Sequence, residues 1–217
     1  MEAINFNGKA ITLRSTSGDP ADTIIAAGGS GSVVTCDSGE TSTTVLDGFT
    51  ITNGSASYGG WMYNESSSPT VSNCILWGDS PDEIYNTNSS TPTVSYSDLQ
   101  GGLPSYTIDD GGNIAVDPLF VDADGPDNVA ENDDDNLRSR IRSPWFNAGS
   151  NAAVSAGVTT DLDMMPRIGN YVVDMGAYEF NGAALSDSDG DGIADDCDLC
   201  LGNDATGDSD SDGSCNN

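Results

Sequence analysis

The sequence contains no histidine and only six lysines and arginines in 217 residues. Lack of His removes the side chain most often used as a general base at neutral pH. It also leaves structural zinc to rest on cysteines alone. Against six bases stand 35 Asp and Glu, for a formal net charge of -29. Nucleic acid is excluded by that balance, because a phosphate backbone needs a basic surface. An anionic membrane surface is excluded for the same reason. No run of about 20 apolar residues occurs, so no transmembrane helix is expected. Met1-Glu-Ala-Ile-Asn5 has neither the basic nor the apolar region of a signal peptide. Strand-like sequence begins by Ile4, so the chain is expected to be a fragment whose leader or cap lies upstream.

What is abundant is Thr, Val, Gly, Ser and Asn, which suits short strands joined by many turns. A repeat organises them. Met62-Tyr-Asn-Glu-Ser-Ser-Ser-Pro-Thr-Val-Ser72 recurs as Ile84-Tyr-Asn-Thr-Asn-Ser-Ser-Thr-Pro-Thr-Val-Ser95. Tyr63 answers to Tyr85 and Val71 to Val94, a period of 22 to 23 residues. A looser copy runs from Thr44 to Gly54. In the three copies Leu46, Phe49 and Ile51 align with Val71, Cys74 and Leu76, and then with Val94, Ser97 and Leu99. The spacing is three, then two. A strand alternates faces with period two, so the step of three predicts a bend between two short strands. Stacked coils of this kind bury one apolar column and need neighbours to do so. Ala10–Arg14, Thr23–Ile25 and Ser32–Cys36 read as strands of earlier coils, and a sandwich of short antiparallel strands is the competing arrangement.

These repeats resemble the right-handed parallel β-helix coils of bacterial surface proteins with a pectate-lyase-like fold. The likeness rests on Thr44-Val-Leu-Asp-Gly-Phe-Thr-Ile-Thr-Asn-Gly54 and on Ser68-Pro-Thr-Val-Ser-Asn-Cys-Ile-Leu-Trp-Gly78. Beyond the coils, Asn113–Asp122, Ser143–Gly149, Thr160–Arg167 and Val173–Phe180 follow in an order similar to the closing, choice-of-anchor module of such proteins. Trp145 and Phe146 stand where a Cys and an apolar residue are usual, and Met164 and Met165 where Gly-Asn is common. The resemblance covers roughly residues 4 to 180. It implies an all-β chain: parallel β-helix coils over 1–102, a closing module over 103–180, and an irregular tail over 181–217.

The tail carries the clearest chemistry. Asp187-Ser-Asp189-Gly-Asp191-Gly192-Ile193-Ala-Asp195-Asp-Cys-Asp198 has the spacing of a 12-residue calcium loop. Asp187, Asp189 and Asp191 would give carboxylate oxygens, Gly192 the sharp turn and Ile193 its carbonyl. Asp195 takes position nine, and Asp198 position twelve, where a longer Glu is usual. Asp208, Asp210 and Asp212 restart the motif 21 residues on. With Asp-Cys-Asp-Leu-Cys between them, the loops resemble thrombospondin type-3 repeats and, more loosely, dockerin loops. The alternative for this tail is an acidic coil that does not order.

Cys74 lies in the inward column, and Cys36 is read likewise as a small buried apolar residue. Cys197, Cys200 and Cys215 lie among the calcium loops, where a disulfide would support a segment without a core; the pairing stays open.

The function that follows is an extracellular, cell-surface structural or adhesive module with Ca2+ bound by its tail. Open coil ends allow self-stacking head to tail into filaments. Nothing in the chain singles out a catalytic pair, and no enzyme activity is expected. The alternative is a carbohydrate-binding or polysaccharide-cleaving module, with Trp61, Tyr63, Trp77 and Tyr85 as a stacking platform along successive coils. Asn53, Asn64 and Asn88 begin sequons for N-glycosylation.

Overall fold

The computed structural model describes residues 3–14, 31–52, 54–129, 135–140, 143–169 and 171–180. Among them there is no helix. The regular structure is short strands: β1 (Ile4–Asn5), β2 (Thr12–Leu13), β3 (Val34–Cys36), β4 (Val45–Asp47), β5 (Thr50–Thr52), β6 (Met62–Glu65), β7 (Thr70–Ser72), β8 (Ile75–Trp77), β9 (Ile84–Thr87), β10 (Thr93–Ser95), β11 (Asp98–Leu99), β12 (Ile108–Asp109), β13 (Phe120–Asp122) and β14 (Asn136–Ser139). The chain is all-β and mostly parallel.

Three parallel sheets share the strands. The first has the order β1-β3-β6-β9, the second β12-β10-β7-β4-β2, and the third β11-β8-β5. From β3 onward the chain visits the first, second and third sheets in turn and then returns to the first. The cycle is incomplete at both ends: β1 and β2 have no described counterpart in the third sheet, and β12 none in the first. No closed solenoid is formed among the described residues. β13 and β14 pair antiparallel outside this stack. The strand-like Thr23–Ile25 lies outside the described residues.

The registers agree with the aligned repeat. Leu46 pairs with Val71 and Val71 with Val94 in the second sheet. Ile51 pairs with Leu76 and Leu76 with Leu99 in the third. All six are buried, as are Phe49, Cys74 and Ser97 at the corner between the sheets. Each fully buried Val or Leu stabilises the stack by about 1.5–3 kcal/mol relative to exposure.

The step of three has a local cause. Gly48, Asn73 and Tyr96, one per coil, all take the left-handed conformation, with φ of 73°, 52° and 48°. One such residue turns the chain from the second sheet into the third. Gly and Asn enter that region at little cost. Tyr96 is held there by its N–H, which donates to Gly111 O at 2.9 Å. Ser97 is tolerated in the apolar column because its hydroxyl donates to Ser95 O at 2.9 Å and accepts from Cys74 N at 3.2 Å.

The inward column of the second sheet, Leu13–Leu46–Val71–Val94, ends on Asp109. That carboxylate is exposed and accepts hydrogen bonds from Gly111 N and Asn113 Nδ2.

The segment after the coils folds back over the outer face of the third sheet. Ile75 packs with Trp145 and Met175, and Trp77 lies against the same cluster. Thr50 Oγ1 accepts from Ala177 N, and Asp98 Oδ1 from Val116 N, both at 3.1 Å. Trp145 is anchored by its indole N–H, 2.7 Å from Pro118 O. Phe146 meets Phe180 edge-on, with ring centres 4.9 Å apart.

Candidate functional site

The outer face of the first sheet carries Asn5, Thr35, Tyr63 and Tyr85 in register, one from each of its four strands. Because the repeat places Tyr at the same position of two adjacent strands, their rings stack. Tyr63 and Tyr85 have centroids 5.9 Å apart and planes 15° from parallel. Tyr58, on the loop before β6, adds a third ring 4.8 Å from Tyr85. Polar groups flank the rings. Tyr63 Oη donates to Glu65 Oε2 at 3.3 Å, and Asn88 Nδ2 donates to Glu65 Oε1 at 2.8 Å. Desolvation, then the Glu65 charge, raises the Tyr63 phenol above its ordinary value, so the hydroxyl stays a donor. Aromatic faces beside a few fixed polar groups are the ingredients of a site that orients an amphipathic ring ligand.

Two of the four aromatics expected in this platform are elsewhere. Trp61 is fully buried in the core with Phe6, Val33 and Met62. It is the residue just before β6, where the chain turns inward, so it presents no ring outside. Trp77 belongs to the third sheet, and the folded-back segment partly covers it. Tyr58 was missed because it precedes the repeat; its only mark in the sequence is Tyr-Gly-Gly before Trp61.

Asn64 is not an available glycosylation acceptor in the folded chain. It is fully buried, and its Nδ2 donates to Asn86 Oδ1 at 3.0 Å. The sequon puts Asn64 beside Tyr63 on a strand, so when Tyr63 faces out Asn64 faces in. Asn88 is exposed at a turn. Asn53 lies outside the described residues. So do all the calcium ligands expected in the tail: Asp187, Asp189, Asp191, Ile193, Asp195, Asp198, Asp208, Asp210 and Asp212.

A second polar centre joins the folded-back segment to itself. Arg167 is buried, and its Nη1 donates to Glu179 Oε1 at 2.6 Å while Nη2 donates to Gly176 O at 2.9 Å. Asp174 Oδ1 and Oδ2 accept from Asn147 N and Phe180 N, each at 2.5 Å. Asp161 accepts from the amides of Asp163, Met165 and Glu179. Burial raises all three carboxyls: Asp174 to about 6, Glu179 to about 8 against the pull of Arg167, and Asp161 in the same direction. The backbone amides and one guanidinium are all committed to holding the segment closed, so this centre is a latch. Arg138 meets Asp163 at 2.6 Å and lies over the Tyr178 ring.

The chain matches no family model, no curated protein and no solved structure.

Proposed function

We propose that the chain is an extracellular structural or adhesive surface module: a right-handed parallel β-helix whose last coils are closed by a folded-back segment and whose acidic tail binds calcium. The observation that carries this reading is the in-register stacking of equivalent residues, Leu46 on Val71 on Val94, through a cycle of parallel sheets. Parallel crossovers are right-handed with few exceptions, which gives the hand. The remaining fold is spent on closure, in the latch around Arg167. The absence of His and the charge of -29 suit a surface that works in calcium-containing surroundings outside the cell.

Self-stacking is part of the proposal. β12 is an edge strand, with Ile108 half exposed and Tyr106 three-quarters exposed beside it. Asp109 ends the inward column with a charge, so stacking at this end rests on strand pairing and Ile108. Electron microscopy and light scattering, with and without calcium, test it. Filaments or calcium-dependent oligomers are expected; a strictly monomeric particle in both conditions removes self-assembly from the proposal.

A second reading is favoured by the stacked rings of Tyr58, Tyr85 and Tyr63. They fit a carbohydrate-binding face, with Glu65 and Asn88 to orient hydroxyl groups. A glycan screen followed by saturation-transfer NMR tests it. Binding lost in Tyr63→Ala and Tyr85→Ala supports the reading, and release of unsaturated or reducing sugars would replace it with catalysis.

A further inference from the structure

Beside the tyrosines, the outer face of the first sheet carries a second row of side chains, and that row is acidic. Alternate residues of a strand face the same way, so Asp37 shares a side with Thr35, and Glu65 with Tyr63. Cys36 pairs with Asn64, which brings the next residue, Asp37, beside Glu65 of the following coil. Both acids are fixed in place. Asp37 Oδ1 accepts from Asn5 Nδ2 at 3.2 Å and from Ser38 Oγ at 3.1 Å. Glu65 is held by Tyr63 Oη and Asn88 Nδ2.

No base balances them. β3, β6 and β9 all fall within residues 15–137, a stretch without a single Lys or Arg. Among the described residues neither acid forms an ion pair. A ligand on this face therefore meets two carboxylates and no cation. A sugar hydroxyl can donate to such a carboxylate. The carboxylate of a uronate has no proton to give at neutral pH, and it meets like charge.

The width of the sheet sets a second limit. Asn5, Thr35, Tyr63 and Tyr85 stand in register on four neighbouring strands. At the usual strand spacing that row spans about 14 Å, room for about three sugar rings in line.

We propose that this face binds an uncharged glycan laid along the stack over about three sugar units, and that Asp37 and Glu65 exclude polyuronates from it. The proposal rests on the carbohydrate reading of the same face and names the class of chain it takes. Tyr58, 57% exposed and tilted 38° from Tyr85, is the most accessible of the three rings. With the half-buried Tyr85 and Tyr63 it gives the apolar sides of the sugars a surface to lie against. Asp37, Glu65 and Asn88 receive or orient the hydroxyls along the edge of the chain.

The test is an NMR titration of the full chain. Neutral oligosaccharides of glucose, mannose, galactose and xylose, from monosaccharide to hexasaccharide, are set against oligogalacturonates of the same lengths. Affinity for at least one neutral series should climb to about three units and then level, with the matching uronate at least about tenfold weaker. Raising the salt should narrow that gap, because screening weakens the repulsion. Asp37→Asn/Glu65→Gln keeps both shapes and removes both charges, and circular dichroism checks its fold. It should bring the uronate to within about threefold of the neutral chain. Tyr63→Ala should abolish binding of both. Uronates that bind the parent chain as tightly as neutral chains overturn the proposal and leave the carbohydrate reading standing. So does a gap that survives in the double variant, or an affinity that stops rising at one sugar. Binding of no oligosaccharide at all overturns the carbohydrate reading and the proposal with it.

Discussion

Asn73 and Ser150, 77 positions apart, bind each other as two strand residues would: Ser150 N donates to Asn73 Oδ1 at 2.7 Å, and Asn73 Nδ2 donates to Ser150 O at 3.2 Å. The same Nδ2 reaches Asp47 Oδ1 at 3.1 Å, and Asn73 O accepts from Gly176 N at 2.7 Å. Asn73 is thus both the corner of its coil and the seat of the folded-back segment.

Asn73→Ala removes three side-chain hydrogen bonds and leaves the half-buried Ser150 backbone without these partners. At about 1 kcal/mol for each bond, the expected loss is about 3 kcal/mol. Urea unfolding at fixed calcium measures it. A loss below about 1 kcal/mol would mean that the corner and the closing segment are not coupled through this side chain.

The stacking of parallel strands was legible because the repeat places equivalent residues at equivalent depths. Val71 and Val94 lie 23 positions apart in near-identical stretches of sequence and are direct partners in space. Tyr63 and Tyr85 were found as a pair for the same reason, while Trp61 and Trp77 fall where the repeat does not say which way a side chain faces. Cys36 and Cys74 are buried, as their apolar strand neighbours imply. What was not legible depends on contacts across distance. Nothing near Asn73 announces Ser150, and nothing near Arg167 shows that Glu179 lies 2.6 Å away. Met164 and Met165, unusual in the closing run, prove to be exposed residues whose backbone, not side chains, serves the latch: Met165 N donates to Asp161 Oδ1 at 2.8 Å.

The latch makes stability depend on pH, and the sign follows from its protons. Glu179 titrates at about 8 in the folded chain against an ordinary 4.5, and Asp174 at about 6 against 3.8. The folded state therefore holds protons that the unfolded state has released. Their stabilisation is fully present below the ordinary values and is lost as pH rises through about 6 and then about 8. Each carboxyl contributes a slope of up to about 1.4 kcal/mol per pH unit within its window. Glu40 acts in the opposite direction. Burial alone would raise it, but the amides of Gly8, Ser38 and Glu40 itself, with the Ser67 hydroxyl, outweigh that and hold it low. Its contribution disappears as pH falls. Urea midpoints from pH 4 to 9 should fall across the neutral range, and Glu179→Gln should flatten the upper part. A midpoint that climbs between pH 6 and 8 would refute this account of the latch.

Gly176 sits where the closing segment touches the third sheet. Its φ is +86°, and an added Cβ would lie 2.6 Å from Thr50 Oγ1 and 2.7 Å from Ile75 Cδ1. Gly176→Ala combines left-handed strain with overpacking, for an expected loss of about 3 kcal/mol. Because the clash falls on the seam, limited proteolysis should cut within 143–180 before it cuts within the coils. Cleavage in the coils first would place the weak point elsewhere.

The buried thiols report on the stack itself. Cys36 and Cys74 are both pushed up to about 12, by desolvation above all, with Glu40 and Asp37 adding to it at Cys36 and Asp47 at Cys74. The thiolate is the reactive form, so both groups are inert by charge as well as by access. Cys74 also lies in the inward column between Phe49 and Ser97, where a reagent cannot arrive without separating coils. With Cys197, Cys200 and Cys215 replaced by Ser, the native chain should show no thiol reactive with Ellman's reagent at pH 8, and two per chain in denaturant. The rate of slow labelling under native conditions then measures coil opening. It should accelerate about a hundredfold in Asn73→Ala if that variant loses about 3 kcal/mol and labelling passes through the unfolded state. Rapid labelling of the parent chain would show that the column around Cys74 is open to solvent, contrary to the packing described.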